Sequence, residues 1–495
     1  MALQPKLPLC DSFEAGYLEY NGILPLELTD GHLRVAVVGE PAIEVLDDLE
    51  RSFNAQLDLV SVTHEELNDA IRRAYAGAES MVELVRDLDA DVVAITEAGD
   101  DCLADARDLA NQPPVIKFVN LLIREAHDAR ASDIHLESTR QGLRVRFRVD
   151  GVLTDAPSPP RGKQAAVVSR VKLLADLDIA ERRTPQDGRI RVRLEERELD
   201  LRVSTAPTLY GESVVLRLLD RGGVPVGLEE LGMSHEVLEE FRRLARRPHG
   251  ILLATGPTGS GKTTTLYAAL GLRDVAGEKL VTVEDPVEYH LESVTQIPVQ
   301  RKAGVTFASA LRSILRQDPD VLMVGEMRDA ETAEIATQAA MTGHLVFSTL
   351  HTNDAAGAIT RLVDLKVEPY LVTATLEGVL AQRLVRKVCS ECREAYRPDP
   401  QVVALLAQQP VGTISLMRGR GCANCRQTGY RGRTGIFELL IVSEEIKGAI
   451  TKLEPLSRVR EIARNQGMRT LREDGWVKAR AGITTIEEVL RVTEQ

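Results

Sequence analysis

Apolar and polar positions along the chain fall into three successive patterns. Up to about residue 110, short apolar runs (LRVAVVGE, LDLVSV, DVVAIT) alternate with amphipathic stretches such as HEELNDAIRRAYA, which predicts a small α/β domain. The paired prolines of NQPPV, residues 111–115, predict a hinge, because proline resists both helix and sheet. A helical period over IKFVNLLIREAHDARASD then gives way to every-second-residue alternation in GLRVRFRVDGVL, RIRVRLEERELDLRVSTAP and SVVLRLLD. Residues 113–222 therefore read as a sheet-rich α+β domain. RGGVPVGLEELGM reads as a linker. From about Gly227 to Gln495 the chain repeats apolar strand, Gly-rich turn and helix, as a parallel-sheet nucleotide-binding core does. The whole is expected to be a multidomain α/β protein.

Composition sharpens this division. A chain of 495 residues is too long for one core, so about three domains are expected. Residues 1–112 hold 7 Lys and Arg against 24 Asp and Glu, a net charge of −17, whereas the rest holds 54 against 50, a net of +4. An acidic front domain argues against nucleic acid as its partner, because phosphate binding needs the opposite sign. The competing explanation is that acidity only keeps the domain well hydrated. No apolar run approaches the roughly 18 residues that a membrane span requires, and MALQPKLPLC lacks the apolar core of a secretory leader. The expectation is a cytosolic protein, or one held at a membrane by partners.

GILLATGPTGSGKTTTLYAAL carries the strongest chemical signal. An apolar strand ending at Thr255 feeds the loop Gly256-Pro257-Thr258-Gly259-Ser260-Gly261-Lys262-Thr263, followed by Thr264 and a helical stretch. The loop matches G-x-x-x-x-G-K-[ST]. Its glycines let successive N–H groups face a phosphate, and the following helix adds its positive end. Lys262 would reach the β- and γ-phosphates, and the Thr263 hydroxyl would ligate Mg²⁺.

Three downstream strands end in polar groups. LVTVEDPVEY carries Glu284, Asp285 and Glu288, and VLMVGEMRD carries Glu326 and Asp329. TGHLVFSTLHTND ends in Ser348, Thr349 and His351, with His344 at its start. Any one of these acids would serve equally well as a solvated strand end or a helix cap. Jointly they fit a sheet whose carboxyl edge holds a nucleotide.

Four of the six cysteines pair as Cys389-Ser-Glu-Cys392 and Cys422-Ala-Asn-Cys425. Two such knuckles supply the four thiolates of a closed, structural zinc site, while disulfides or unrelated buried thiols are the alternatives. Nearby Arg383, Arg386, Lys387, Arg418 and Arg420 read as a basic docking face for a membrane protein or acidic lipid, with nucleic-acid binding or a merely solvated basic face as the alternatives. With 4% aromatic residues there are few platforms for stacking bases.

With these residues in hand, the chain resembles the secretion ATPases of the type II/type IV pilus assembly superfamily. GPTGSGKTTTLY matches that family's Walker A, TVEDPVEY its aspartate box, LRSILRQDPDVLMVGEMRD its atypical Walker B and TGHLVFSTLHTNDA its histidine box. ASDIHLE, RFRVDG and TPQDGR match its second N-terminal domain, and CANCRQTGYRGRTGIFELL its metal-binding segment. The resemblance implies a RecA-like core over residues 227–495, with a tetracysteine subdomain at 385–432. It implies a PAS-like α+β domain at 113–222 and a platform-docking domain at 1–110. It implies Glu326 as the Walker B acid, acting on Mg²⁺, and Glu288 as the residue that orients or deprotonates water. His351 and His344 would sense the γ-phosphate. Arg148, Arg189, Arg202 and Arg217 are candidates for arginines that close over the nucleotide, and each would equally suit a wet strand face. Implied cofactors are ATP, Mg²⁺ and Zn²⁺. Implied partners are five further copies in a hexamer, inner-membrane platform proteins and acidic phospholipid, not nucleic acid, at the cytoplasmic face of the inner membrane. Family motors for pilus retraction are shorter and lack the cysteines, and extension motors usually run longer. A type II secretion role is therefore expected, with pilus extension as the alternative and a nucleic-acid-translocating hexamer as a more remote one.

Overall fold

Burial on both faces marks the strands of one sheet and burial on one face those of another, and this difference separates the halves of the molecule. The computed structural model describes residues 108–220 apart from 161, 195 and 196, residues 227–398 and 416–494, and, with interruptions, 18–70. The expected strand DVVAIT, most of HEELNDAIRRAYA, and Cys10 and Cys102 lie outside the described residues. Two compact units form: Met1–Phe147 with Leu153–Ile190 and Arg202–Arg217, and Arg148–Val152 with Arg191–Leu201 and Leu218–Gln495.

In the first unit, β1 (Ile23–Thr29) pairs antiparallel with β2 (His32–Val37), which pairs parallel with β3 (Gln56–Ser61) after helix α1 (Ile43–Phe53). Leu24, Leu33, Val35 and Leu49 form their core. The prolines expected to make a hinge instead start helix α2 (Pro113–Asp128). At the first helical positions the missing N–H is one that would have no intrahelical partner anyway, and the fixed φ suits the helix. Val115, Phe118, Val119, Leu122, Ile123 and Ala126 are the buried face of α2.

A six-stranded sheet, order β6-β5-β4-β9-β8-β7, follows from β4 (Ala131–Thr139), β5 (Gly142–Val149), β6 (Val152–Ala156), β7 (Gln186–Leu194), β8 (Arg197–Thr208) and β9 (Gly211–Asp220), with α3 (Gln164–Leu174) inserted. GLRVRFRVDGVL, read as one alternating strand, turns at Asp150 and Gly151, both with positive φ (49° and 84°), and so becomes a hairpin.

The second unit is built on a seven-stranded sheet, order β12-β11-β13-β14-β10-β15-β18. Its strands are β10 (Gly250–Thr255), β11 (Leu280–Glu284), β12 (Thr295–Pro298), β13 (Val321–Val324), β14 (Leu345–Leu350), β15 (Leu376–Val388) and β18 (Tyr430–Ile441). All pairs are parallel except β15 with β18. Every residue of β10, β11, β13 and β14 is buried, which is why these strands read as continuous apolar runs. Along β10, Ile251 and Leu253 enter one core, while Leu252 and Ala254 enter the core on the other face. Helices α4 (His235–Ala245), α5 (Lys262–Leu270), α6 (Phe307–Ile314), α7 (Ala330–Met341), α8 (Ala355–Asp364) and α9 (Pro369–Thr375) accompany these strands. A C-terminal group follows: α10 (Glu444–Thr451), α11 (Leu456–Asn465), α12 (Leu471–Arg480) and α13 (Ile486–Thr493). Between β15 and β18, the small ribbon β16 (Arg393–Tyr396) and β17 (Leu416–Gly419) stands beside the cysteines. No helix among the described residues is long and apolar enough to cross a membrane.

Candidate functional site

Because β10, β11, β13 and β14 are parallel, their carboxyl ends share one edge of the sheet, and the polar strand ends meet there. The loop from Gly256 to Gly261 leaves β10 at this edge and turns into α5. A Cβ on Gly256 (φ 143°) would lie 2.4 Å from the carbonyl oxygen of Gln382, and Gly261 takes φ 87° just before the helix. Both positions need glycine.

Lys262, the first residue of α5, curls back to donate to the carbonyls of Gly256 (2.8 Å) and Pro257 (3.0 Å). Burial pushes its ammonium down to about 8, with Glu326 opposing the fall and Arg383 adding to it. Ser260 Oγ is buried without a hydrogen-bond partner. An unpaired hydroxyl, a desolvated cation resting on its own backbone and a helix N-terminus together fit a phosphate chain.

Glu326 follows β13 and Gly325. Its carboxylate meets Arg328 Nε at 2.5 Å and His351 Nε2 at 3.3 Å. Side chains of β14 fix the turn: Ser348 Oγ donates to Val324 O and Thr349 Oγ1 to Gly325 O, both at 2.7 Å. Thr255 Oγ1 lies 2.6 Å from Thr352 Oγ1, tying the end of β10 to the residue after His351. Lys262, Glu326 and His351 thus share one edge. Thr263 and Thr264 stand half-buried in the first turn of α5, where Thr263 and Glu326 could hold a magnesium ion.

The aspartate-box acids separate. Glu284 ends β11 fully inside, accepting from Thr282 Oγ1 (2.6 Å), Gln296 Nε2 (3.2 Å) and the Tyr267 hydroxyl. Burial pushes its carboxyl above the usual range against those hydrogen bonds. Asp285 is exposed and pairs with Arg301 at 3.1 Å. Neither side chain is free for a nucleotide as it stands, whereas Glu288 is exposed. Asp329 caps α7 by accepting from Thr332 N at 2.8 Å. His344 lies at the amino end of β14, its Nδ1 2.8 Å from Ala339 O, at the opposite end of the strand from His351. The fold therefore does not bring it to the phosphate loop of its own chain.

Arg148, Arg189, Arg202 and Arg217 stand on β5, β7, β8 and β9. Arg217 pairs with Asp133 at 2.9 Å, and an Arg148 nitrogen donates to Gly151 O at 3.1 Å. Arg189 is exposed and Arg202 half-buried.

Sequence reasoning missed Gln382, Tyr267 and the setting of Arg383. Gln382 donates to Ser260 O (2.6 Å) and accepts from Thr265 Oγ1 (2.8 Å), so β15 grips the phosphate loop. Arg383 is buried, donating to Asn353 Oδ1 at 3.2 Å. A polar pair inside the buried run of β15 was the available signal. The expected basic face is also largely committed. Arg386 pairs with buried Glu488 (2.9 Å), and Arg418 (2.9 Å) and Arg420 (3.6 Å) both pair with Glu394.

The four cysteines converge, all their sulfurs lying within 4.8 Å of one another. Cys389–Cys422, Cys392–Cys425 and Cys422–Cys425 stand at 3.9, 3.8 and 3.7 Å. Sulfurs at the zinc bond length, on a tetrahedron, would be about 3.8 Å apart. The thiols are free rather than bonded in pairs. The amides of Cys422 (3.1 Å) and Gly429 (3.3 Å) donate to Cys425 Sγ. Burial would push that thiol up, but these donors bring it down to about 7. The donor set fits zinc.

Comparison with known proteins agrees with this geometry. The model of the type II/IV secretion system protein family matches residues 108–491, and that of the MshEN domain matches residues 1–81. The type II secretion system protein E of Xanthomonas campestris pv. campestris is 48% identical over 99% of this chain and 86% of its own length. The type II secretion system ATPase E of Vibrio cholerae is 45% identical over 92% of this chain and 91% of its own. The type IV pilus assembly ATPase PilB of Thermus thermophilus is 44% identical over 95% of this chain but only 53% of its own. Among solved structures, the pilus retraction motor PilT with bound ADP superposes with a TM-score of 0.50 at 26% identity, covering 75% of this chain and 96% of that one. The Legionella pneumophila ATPase DotB gives 0.55 at 21% identity, over 76% and 95%, and supports the fold. On the matched family model and the identity along nearly its full length, the chain belongs to the type II/IV secretion system protein family.

Proposed function

We propose that this protein hydrolyses Mg²⁺-ATP to power a type II secretion system, working as a hexamer at the cytoplasmic face of the inner membrane. The observation that carries the reading is the meeting of Lys262, Glu326 and His351 on one sheet edge beside a phosphate-binding loop. Loop amides and Lys262 bind the phosphates, and Thr263 and Glu326 hold the metal, which supplies positive charge against the phosphate oxygens. Glu288 orients the attacking water and takes its proton, and His351, already beside Glu326, reads whether the γ-phosphate is present. Arginines of the β4–β9 sheet, with Arg148, Arg189, Arg202 and Arg217 the candidates, complete the charge by domain closure. Zinc staples the tetracysteine segment and takes no part in hydrolysis. Residues 1–110 dock on an inner-membrane platform protein. Acidic lipid is the weaker partner, because most of the expected basic face is already paired.

Pilus extension is the second reading, favoured by the Thermus relative, but this chain spans only about half of that protein. Glu288→Gln tests the core of the proposal. ATP binding should persist while phosphate release falls by a factor of about 10²–10⁴. Hydrolysis at the normal rate would remove Glu288 from the base role. Stimulation of the full-length enzyme by platform protein, and not by DNA, is the expected outcome that separates export from nucleic-acid translocation.

A further inference from the structure

Glu288 sits on the exposed loop that joins Glu284 to Leu291, and a base on such a loop is useful only if its place is held. We propose that buried Tyr267 and Glu284, with half-buried Gln296, form a clamp that positions Glu288 and couples its position to the helix behind the phosphate loop. The inference rests on the reading of Glu288 as the base.

The clamp grips the chain on both sides of Glu288. Before it, Glu284 accepts from Thr282, Gln296 and the Tyr267 hydroxyl. After it, Gln296 donates to Tyr289 O at 3.2 Å and accepts from Leu291 N at 2.8 Å. The same Gln296 amide lies 3.3 Å from the Tyr267 oxygen, so the three side chains are in mutual contact. The Tyr289 ring, next to Glu288, meets the Tyr267 ring edge-on with centroids 4.6 Å apart. The network is costly, because Glu284 is 2% exposed and Tyr267 3%. A buried carboxyl that only filled space would be better replaced by an apolar side chain of similar volume.

Tyr267 belongs to α5, five residues beyond Lys262, or roughly 7.5 Å along one rigid helix. A shift of α5 as the phosphate loop engages its ligand moves the phenol, and the phenol is bonded to the residue that opens the Glu288 loop. Tyr267, Glu284 and Gln296 are positioning residues, acting through Glu288 without touching the reacting atoms.

The test uses the full chain, with phosphate release measured against ATP concentration in excess Mg²⁺. Tyr267→Phe keeps the ring and removes the hydroxyl, and should lower kcat at least about tenfold with KM for ATP within about twofold. Adding Glu288→Gln to it should lower kcat no further than Glu288→Gln does alone, because both act at one step. Gln296→Met should show the same split and stands in if Tyr267→Phe does not accumulate as folded protein. A normal kcat in both variants, a loss confined to KM, or losses that multiply with Glu288→Gln would overturn the clamp. If Glu288→Gln is itself fully active, the base assignment falls first. If Glu288→Gln is dead while Tyr267→Phe and Gln296→Met are normal, the clamp alone falls.

Discussion

The phosphate loop and the tetracysteine cluster are reached from the same strand, β15, and they treat their polar groups in opposite ways. At the loop, Gln382 of β15 anchors Ser260, yet Ser260 Oγ is unpartnered and Lys262 rests on two carbonyls of its own loop. At the cluster, just past the end of β15, four sulfurs face one centre and backbone amides donate to Cys425. The first arrangement keeps its groups in partnerships that a ligand can replace. The second is closed, which suits a resident ion that never leaves. The module is then tied to the C-terminal helices. Arg386 stacks over Tyr430 at 4.1 Å and pairs with Glu488, whose carboxyl burial would raise but which Arg491 and Arg386 hold at about 2.

Four measurements break or sharpen this contrast, taken from the largest expected effect to the smallest. Cys392→Ser should abolish stoichiometric zinc and loosen the residues around the cysteines in hydrogen exchange, since structural zinc contributes about 10–16 kcal/mol in small domains. ATP affinity should hardly move, and protein purified without chelators yet free of zinc would defeat the assignment. Lys262→Ala should cut kcat/KM by about 10²–10³ or more while zinc content stays unchanged. Retained hydrolysis would show that the loop is not the catalytic cradle.

The third is a pH series. Burial holds the Lys262 ammonium down at about 8, and a bound phosphate chain favours its charged form. Affinity is therefore fully present below that value and is lost as the pH rises through it, by about tenfold between pH 7 and pH 9. A flat ATP-binding curve over that interval would mean that Lys262 stays charged in the free protein. Gln382→Leu gives the smallest effect. It strips the loop of two buried hydrogen bonds, costing about 1–3 kcal/mol in a denaturant midpoint with a modest loss of ATP affinity.

The readable parts of the site were those whose chemistry is local. The phosphate loop is one continuous segment, and its glycines announce the backbone it needs. The two CxxC knuckles announce their ligands, and the convergence of their sulfurs followed. Glu326 could be placed at a strand end because VLMV is apolar on every residue, as a strand buried on both faces must be. The parts that are not readable are those where position depends on a distant partner. Glu284 and Asp285 looked like nucleotide ligands, but Tyr267 and Gln296 take one and Arg301 the other. His344 and His351 belong to one motif, yet the direction of β14 puts them at opposite edges of the sheet. NQPPV reads as a break only until the first turn of a helix is considered, where proline fits.

By itself, then, the sequence determined the strand–loop–helix with its glycine-rich turn, the two cysteine pairs whose sulfurs converge and the parallel character of the core, because each is written in residues close along the chain. Which acid is buried and which exposed, which arginines are already paired and how β15 grips the loop from more than a hundred residues away were decided only in the folded molecule. The reason is physical. A side chain's type sets what it can bond to, but burial and the competition among neighbours brought together by the sheet set what it does bond to, and those neighbours are remote in sequence.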